Sequence, residues 1–429
     1  MTQQRRLWRQ RCFLLGMGLW WNWSAVTLAM EERSEQQLEL PALLQEALTH
    51  NPEIQAAQQR YRAAQARPSQ AGSLPDPMIE GAYHNEPITP LTLGQSDFSF
   101  LRFGVSQEVP FPGKLSLHED IASQEAEREG QMLRATTLSV TARLKTAFDE
   151  FAFTHRALEI LQRNKDFLLD LQKSTEARYQ VGQGLQQDVI KAQVEVSLLT
   201  SRLLQLEQKR EGLSATINGL LNRPPLAPLG PPTSLHKSQF TTTLEALRDL
   251  ALEYSPELKG ADVLLVRNEL SLSLAQREYY PDLVFKADYM HKAARLPEWE
   301  LGVGVKVPLY FWRKQRYGVA EAVESVGEAR STRQNALQTV LARIKELYTQ
   351  ARAAEQLTTL YQTAIIPQSR LSLESTSAGY AVGKVDFLTL LNNVLVLREA
   401  ELSYEEQLTE FEKSVAQLEE TVGAPVAEK

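Results

Sequence analysis

The sequence predicts a mainly α-helical chain with a small β part, and three observations carry that prediction. Two stretches, Lys114 to Tyr179 and Lys314 to Tyr380, are dense in Ala, Leu, Glu, Gln and Arg, with Pro367 as their single proline. Each is about 65 residues long, beyond the helices of ordinary globular domains. Short segments ahead of them alternate between apolar and polar residues, the period of a strand with two unlike faces. Finally, nearly all of the chain is written twice.

The repetition has four landmarks in the same order. Ala47-Leu-Thr-His-Asn-Pro-Glu-Ile54 returns as Ala251-Leu-Glu-Tyr-Ser-Pro-Glu-Leu258, and Pro75-Asp76 with Ala82-Tyr83 returns as Pro281-Asp282 with Asp288-Tyr289. Gly104-Val105 with Val109-Pro110 returns as Gly302-Val303 with Val307-Pro308, and Tyr179-Gln-Val-Gly182 as Tyr380-Ala-Val-Gly383. Between the copies, Arg223 to Phe240 carries prolines at 224, 225, 228, 231 and 232, which cannot continue a helix. The expected organisation is a first unit over 38–222, a Pro-rich linker over 223–240 and a second unit over 241–425.

Each unit reads as a helix, a strand pair and a long helical hairpin. The first helical region spans Ala42 to Arg67, and its copy Leu244 to Glu278, both rich in good helix formers. In Glu298 to Leu309 one face holds Trp299, Leu301, Val303, Val305, Val307 and Leu309, and the other Glu298, Glu300, Gly302, Gly304, Lys306 and Pro308. In the first unit Leu101, Phe103, Val105, Gln107 and Val109 alternate with Arg102, Gly104, Ser106 and Glu108. Glycines at Gly182-Gln-Gly184 and Gly383 permit the positive-φ turn that reverses a helical hairpin.

The N-terminus has Arg5, Arg6, Arg9 and Arg11 before an apolar run from Cys12 to Met30, with Thr27 and Ala29 as small residues at its exit. A signal peptide over 1–29 fits this pattern, a membrane anchor being the alternative. Removal of 1–29 leaves 42 basic against 53 acidic side chains, a net charge of −11. An acidic exported chain is a poor nucleic-acid binder. Cys12, the only cysteine, lies inside the leader, which excludes disulfides and thiol metal ligands from the processed chain.

No later segment offers a membrane-length apolar run, so any membrane crossing falls to the strands. An alternating strand usually packs its apolar face on a soluble core. The alternative is a barrel with lipid outside and water inside. Trp299 at one end and Tyr310, Phe311 and Trp312 at the other stand where an aromatic girdle would. Four strands cannot close alone, whereas three chains supply twelve and leave no unpaired edge. The long helices, with charges such as Glu321, Glu324, Glu328, Arg330 and Arg333 at nearly every turn, suit neighbouring helices rather than a broad core. A coiled-coil scaffold or a periplasmic adaptor is the competing reading.

The duplicated order resembles the TolC-type outer membrane efflux channels, the outer membrane factors. The residues that carry the resemblance are the opening Ala47-Leu-x-x-Asn-Pro-Glu53 with its copy, Tyr179-x-Val-Gly-x-Gly184 followed by Asp188-Val-Ile-Lys-Ala-Gln193, and Tyr380-x-Val-Gly-Lys-Val-Asp-Phe-Leu-Thr-Leu-Leu391. The likeness spans about residues 38–425. Val109-Pro-Phe-Pro-Gly-Lys114 is similar to the heavy-metal-efflux branch of the CzcC and CusC type.

The resemblance implies a homotrimer of the TolC-like fold in the outer membrane: long antiparallel helical hairpins forming an α-barrel in the periplasm, plus four strands per chain in a twelve-stranded transmembrane β-barrel. It implies an exit duct for an RND-type inner-membrane pump, joined through a periplasmic adaptor, a membrane fusion protein, with heavy-metal cations among the cargo. It places Tyr179, Gly182, Gly184, Tyr380 and Gly383 at the adaptor-facing tip, and Asp188, Thr389 and Asn392 near the pore there. Some relatives hold carboxylates and a locking basic group at the second tip. Here Thr389, Asn392 and Val385 stand in those places, and only Asp188 keeps an acid.

The six histidines, at 50, 84, 118, 155, 236 and 291, lack metal-ligand spacing. No nucleophile elbow, phosphate-binding loop or paired-carboxylate site is legible. The sequence therefore predicts neither an enzyme nor a cofactor.

Overall fold

The computed structural model describes residues 37–86, 99–292 and 296–427; the leader at 1–29 lies outside them. Ten α-helices and four strands are described: α1 (Leu40–His50), α2 (Pro52–Gln65), α3 (Arg67–Ala71), β1 (Met78–His84), β2 (Phe100–Val109), α4 (Lys114–Gln180), α5 (Gln186–Leu220), α6 (Leu244–Tyr254), α7 (Pro256–Arg277), β3 (Asp282–His291), β4 (Glu298–Lys306), α8 (Gln315–Leu360), α9 (Ile366–Ala381) and α10 (Phe387–Val422). A π-helical turn, Tyr361–Ile365, joins α8 to α9. The chain divides into two compact units, one made of the described parts of Met1–Gln55, Thr136–Tyr254 and Leu341–Lys429, the other of Ala56–Ala135 and Ser255–Val340.

The opening helical region of each repeat is broken once more than the sequence reading had it. Proline bars the preceding residue from helical geometry, and Asn51 (ψ 123°) and Ser255 (ψ 119°) are extended. Asn51 serves both neighbours: its N–H bonds to Ala47 O at 2.9 Å, and its Oδ1 accepts from Glu53 N at 2.9 Å and Ile54 N at 3.2 Å. Its Nδ2 donates to Leu220 O at 2.8 Å, tying the start of the repeat to the end of its hairpin.

The first unit's hairpin core comes from four helices. Ala157, Ile160, Leu161 and Leu168 of α4 meet Ala192, Leu199 and Leu203 of α5, Tyr380 of α9, and Phe387, Leu390, Leu391 and Val394 of α10. Ion pairs run beside it: Glu150 of α4 takes Lys413 of α10 at 2.9 Å and Lys209 of α5 at 3.4 Å, and Glu401 of α10 takes Arg163 of α4 at 2.7 Å. The helical stretch from Lys314 to Tyr380 is interrupted near the proline singled out in its sequence, because Pro367 has no N–H to give. The π turn absorbs the fault, with Ile366 N reaching back to Tyr361 O. The equivalent stretch of the first repeat has no proline and stays one helix.

The second unit carries one antiparallel sheet in the order β1-β2-β3-β4, so the two repeats join at the β2–β3 pair. β4 ends at Lys306, three residues before the alternation does, because Pro308 cannot donate to the ladder. Asn268 on α7 donates to Ser325 O on α8 at 2.9 Å, and Arg267 on α7 pairs with Glu125 on α4 at 3.0 Å.

The joint between β2 and α4 is tied to the joint between α7 and β3. Lys114, 3% exposed, donates to Asp282 Oδ1 at 2.8 Å and to Tyr280 O at 3.0 Å. Phe111 N donates to the same Asp282 oxygen at 2.8 Å, and the Phe111 ring stacks on Tyr280 at 4.6 Å. Gly113 (φ +90°) is needed there, since a β-carbon would lie on the Arg277 guanidinium that donates to Pro112 O at 2.9 Å.

Candidate functional site

The register of the sheet decides what it can do. Opposite residues share a face, and the pairs Ile79↔Val105, Phe103↔Tyr289, Val105↔Ala287, Phe285↔Val303 and Tyr289↔Trp299 put every apolar set together. One face therefore carries Ile79, Tyr83, Leu101, Phe103, Val105, Leu283, Phe285, Tyr289, Trp299, Leu301, Val303 and Val305. Among the described residues no helix covers it: Leu301 is 70% exposed and Val303 67%. The opposite face is polar, with Arg102 at 3.7 Å from both Glu80 and Asp288, and Lys306 at 2.8 Å from Glu108. The outer edges of β1 and β4 have no strand partner among the described residues. A soluble half-buried sheet, the alternative left open by the periodicity, would hide those residues.

At the ends of this face stand the expected girdle residues. Trp299 is 74% exposed; Tyr310, Phe311 and Trp312 are exposed too and pack on one another, Phe311 to Trp312 at 5.2 Å and Tyr310 to Trp312 at 6.1 Å.

The two hairpin tips are built alike. Gly182 (φ +74°) and Gly383 (φ +73°) end α4 and α9. Gly182 N bonds to Tyr179 O at 3.0 Å and Gln183 N to Arg178 O at 2.8 Å, while Gly383 N bonds to Tyr380 O at 3.1 Å and Lys384 N to Gly379 O at 2.9 Å. This pair of bonds satisfies the last helical carbonyls, and only the left-handed residue lets both form. Gly184 sits against the Tyr179 backbone, where a β-carbon would come within 3.1 Å.

The repeats differ in what their tips show. Tyr179 is exposed, whereas Tyr380, expected at the adaptor-facing surface beside it, is 8% exposed and belongs to the tip's core. Its ring packs edge-on to Phe387, and the Arg178 guanidinium lies 4.3 Å from the ring centre. Arg178 also donates to Tyr380 O at 3.0 Å and Ala381 O at 3.3 Å, so a cation of the first hairpin caps the carbonyl end of α9. A basic tie between the tips thus exists, but from Arg178; Val385, at the expected place, packs on Gly379 instead. A basic residue in the last turn of a helix was the signal that could have found it.

A second overlooked residue is Asp386. It caps α10, accepting from Thr389 N at 2.8 Å and Thr389 Oγ1 at 2.9 Å. An aspartate just ahead of an apolar run is an ordinary helix-start signal. Thr389 is thereby engaged, Asn392 is exposed, and Asn393 rather than Asn392 links α10 to α9, donating to Thr376 Oγ1 at 2.8 Å.

Burial, and then the charge of Asp386, push the Asp188 carboxyl above its ordinary value; the N–H and hydroxyl of Thr389 hold Asp386 below its own. A raised carboxyl opposes the folded tip while charged, and relief comes as pH falls through its folded value. Asp386 works the other way, and its contribution is lost as pH falls through its depressed value. Asp188→Asn is therefore expected to raise amide protection of the tips at neutral pH, with the difference vanishing in acid, as followed by hydrogen exchange corrected for intrinsic rates.

Among the described residues no group of His, Cys, Asp and Glu could hold a metal ion, and no helix is long and apolar enough to cross a membrane. The profile of the outer membrane efflux protein family matches residues 43–223 and 247–424, one match per repeat. The chain belongs to that family. Among solved structures, a membrane protein from Pseudomonas aeruginosa is 16% identical with a TM-score of 0.80, over 92% of each chain. The outer membrane protein VceC of Vibrio cholerae is 17% identical with a TM-score of 0.76, over 90% of this chain and 96% of its own. CusC, described by its transmembrane channel formation, is 12% identical with a TM-score of 0.78, over 92% and 94%. No curated protein sequence matches significantly. As an outer membrane efflux protein, the chain has the mainly helical fold with a four-stranded sheet that its sequence predicts.

Proposed function

We propose that this outer membrane efflux protein is the exit duct of a tripartite pump: a homotrimer whose twelve strands close a barrel in the outer membrane and whose long helices wall an aqueous tunnel in the periplasm. The observation that supports it best is the register that puts the apolar residues of all four strands on one uncovered face, between two unpaired edges. Lipid is the medium that tolerates such a face, and further copies of the chain supply the missing edges. Purified protein in planar bilayers tests this, and stepwise conductance from a detergent-stable trimer is the expected result.

The tips are the adaptor's docking place in this reading. Val181, Leu185, Val382 and Leu388 are exposed around Gly182 and Gly383, an apolar surface with no partner among the described residues. Tyr179, Gly182, Gly184 and Gly383 lie with them, while Asp188, Thr389 and Asn392 are the candidates for the pore side. The pump is of the RND type and selects the cargo, for which Val109-Pro-Phe-Pro-Gly-Lys114 favours heavy-metal cations. A deletion strain's sensitivity to metal salts, set against its sensitivity to drugs, tests that choice.

The duct opens when the adaptor spreads the tips and helices shift against one another. Arg178 is the latch that holds them. Arg178→Ala removes charge-assisted bonds to two carbonyls, worth about 1–2 kcal/mol after allowance for its partial exposure. The expected outcome is a larger open fraction in single-channel records without adaptor, with Arg178→Lys intermediate. Cysteine pairs that lock the tips together are expected to block export.

A further inference from the structure

We infer that the segment joining β4 to α8 binds the anionic phospholipid headgroups of the membrane leaflet nearest the helices. The inference rests on the reading of the sheet as membrane-spanning and adds a partner chemistry to it. Tyr310, Phe311 and Trp312 are followed at once by Arg313, Lys314 and, two residues on, Arg316, all exposed. None of these three cations makes an ion pair or side-chain hydrogen bond among the described residues. Between Glu300 and Glu321 the chain contains no acid at all.

Nothing inside the fold calls for those charges. A helix start favours acids, yet the first turn of α8 has none and cations crowd it. The matching joint of the first repeat resolves the same need internally, since Lys114 is buried and bonded to Asp282 and Tyr280. The second joint leaves its lysine outside, with an aromatic triplet before it. Along the chain the order is apolar strand through Val305 and Val307, then aromatic, then cationic. A leaflet has the same order from acyl chains to interface to phosphate.

The described residues contain two tryptophans, Trp299 and Trp312; the other four, at 8, 20, 21 and 23, belong to the expected leader. Trp299→Phe therefore leaves Trp312 as the reporter beside the cations, and Trp312→Phe leaves Trp299 at the other end. The processed protein is reconstituted in zwitterionic vesicles holding a minor share of anionic lipid, with brominated chains on either the anionic or the zwitterionic component. Each cation at a bilayer surface is worth roughly a five-fold enrichment of anionic lipid. Trp312 fluorescence should be quenched several-fold more when the bromines ride on the anionic lipid. That preference should disappear in Arg313→Gln/Lys314→Gln/Arg316→Gln, persist in Arg313→Lys/Arg316→Lys, and be absent at Trp299. Equal quenching of Trp312 by both lipids in the unmodified segment overturns the inference while leaving the barrel intact. Quenching of neither tryptophan by any lipid overturns the barrel itself.

Discussion

Arginine in place of Val303 is expected to abolish the detergent-stable oligomer and its conductance. Val303 sits in the middle of β4 on the uncovered face, opposite Phe285, two residues from Leu301 and Val305 on the same side. A cation at the bilayer midplane on the lipid side costs about 2–4 kcal/mol, and a trimer pays it three times. The total is comparable with the whole stability of an ordinary domain, about 5–15 kcal/mol. Glu300→Lys, on the opposite face of the same strand, is the control and is expected to assemble. Heat-resistant oligomer on gels and bilayer conductance read both variants. If instead the apolar face packed on a soluble core, the unmodified chain and Glu300→Lys would both be folded and soluble without detergent, and Val303→Arg would unfold by burying an unpaired charge.

The second large effect is expected at Lys114. Its side chain is 4% exposed and that of Asp282 16%, so methionine at 114 leaves the carboxylate with the Phe111 N–H alone, at the wall of a water-accessible cavity. Losing the charge-assisted bonds of Lys114 to Asp282 and Tyr280 costs about 1–3 kcal/mol. Lys314→Met, at the corresponding exposed joint, is expected to cost less than about 0.5 kcal/mol. Denaturant unfolding of the purified oligomer, followed by tryptophan emission, separates the two. Equal midpoints would mean that the Lys114 tie holds nothing.

The contrast between these two lysines shows where sequence reading stopped. Alternation in Glu298 to Leu309 and Leu101 to Val109 names the faces of single strands, because a strand's period is local. Which face of β2 matches which face of β3 depends on register, and Phe103↔Tyr289 is a pairing across 186 residues of chain that no local pattern encodes. The two long helices and their glycine turns were legible for the same local reason. Arg178 and Tyr380 were not: the duplicated motif treats Tyr179 and Tyr380 as equivalents. Only the packing of α4 against α9 makes one a surface ring and the other a core ring beneath a guanidinium. Pro367 was visible as an exception, but its remedy, a π turn four residues upstream, is a property of the backbone ladder rather than of composition. The Asn51 and Ser255 breaks were legible in principle from the following prolines. The apolar composition, however, runs on through both and masks them.

Closure of the barrel requires β1 of one copy to pair with β4 of another, and intermolecular cysteine crosslinking detects that pairing. The only native cysteine, Cys12, lies in the expected leader, so introduced pairs report without background. Cysteines scanned singly along Ile79, Gly81 and Tyr83 of β1 against Leu301, Val303 and Val305 of β4 sample the possible registers. One register is expected to yield a covalent ladder ending at three chains, from protein extracted with detergent. A folded chain that gives no intermolecular crosslink in any register contradicts it.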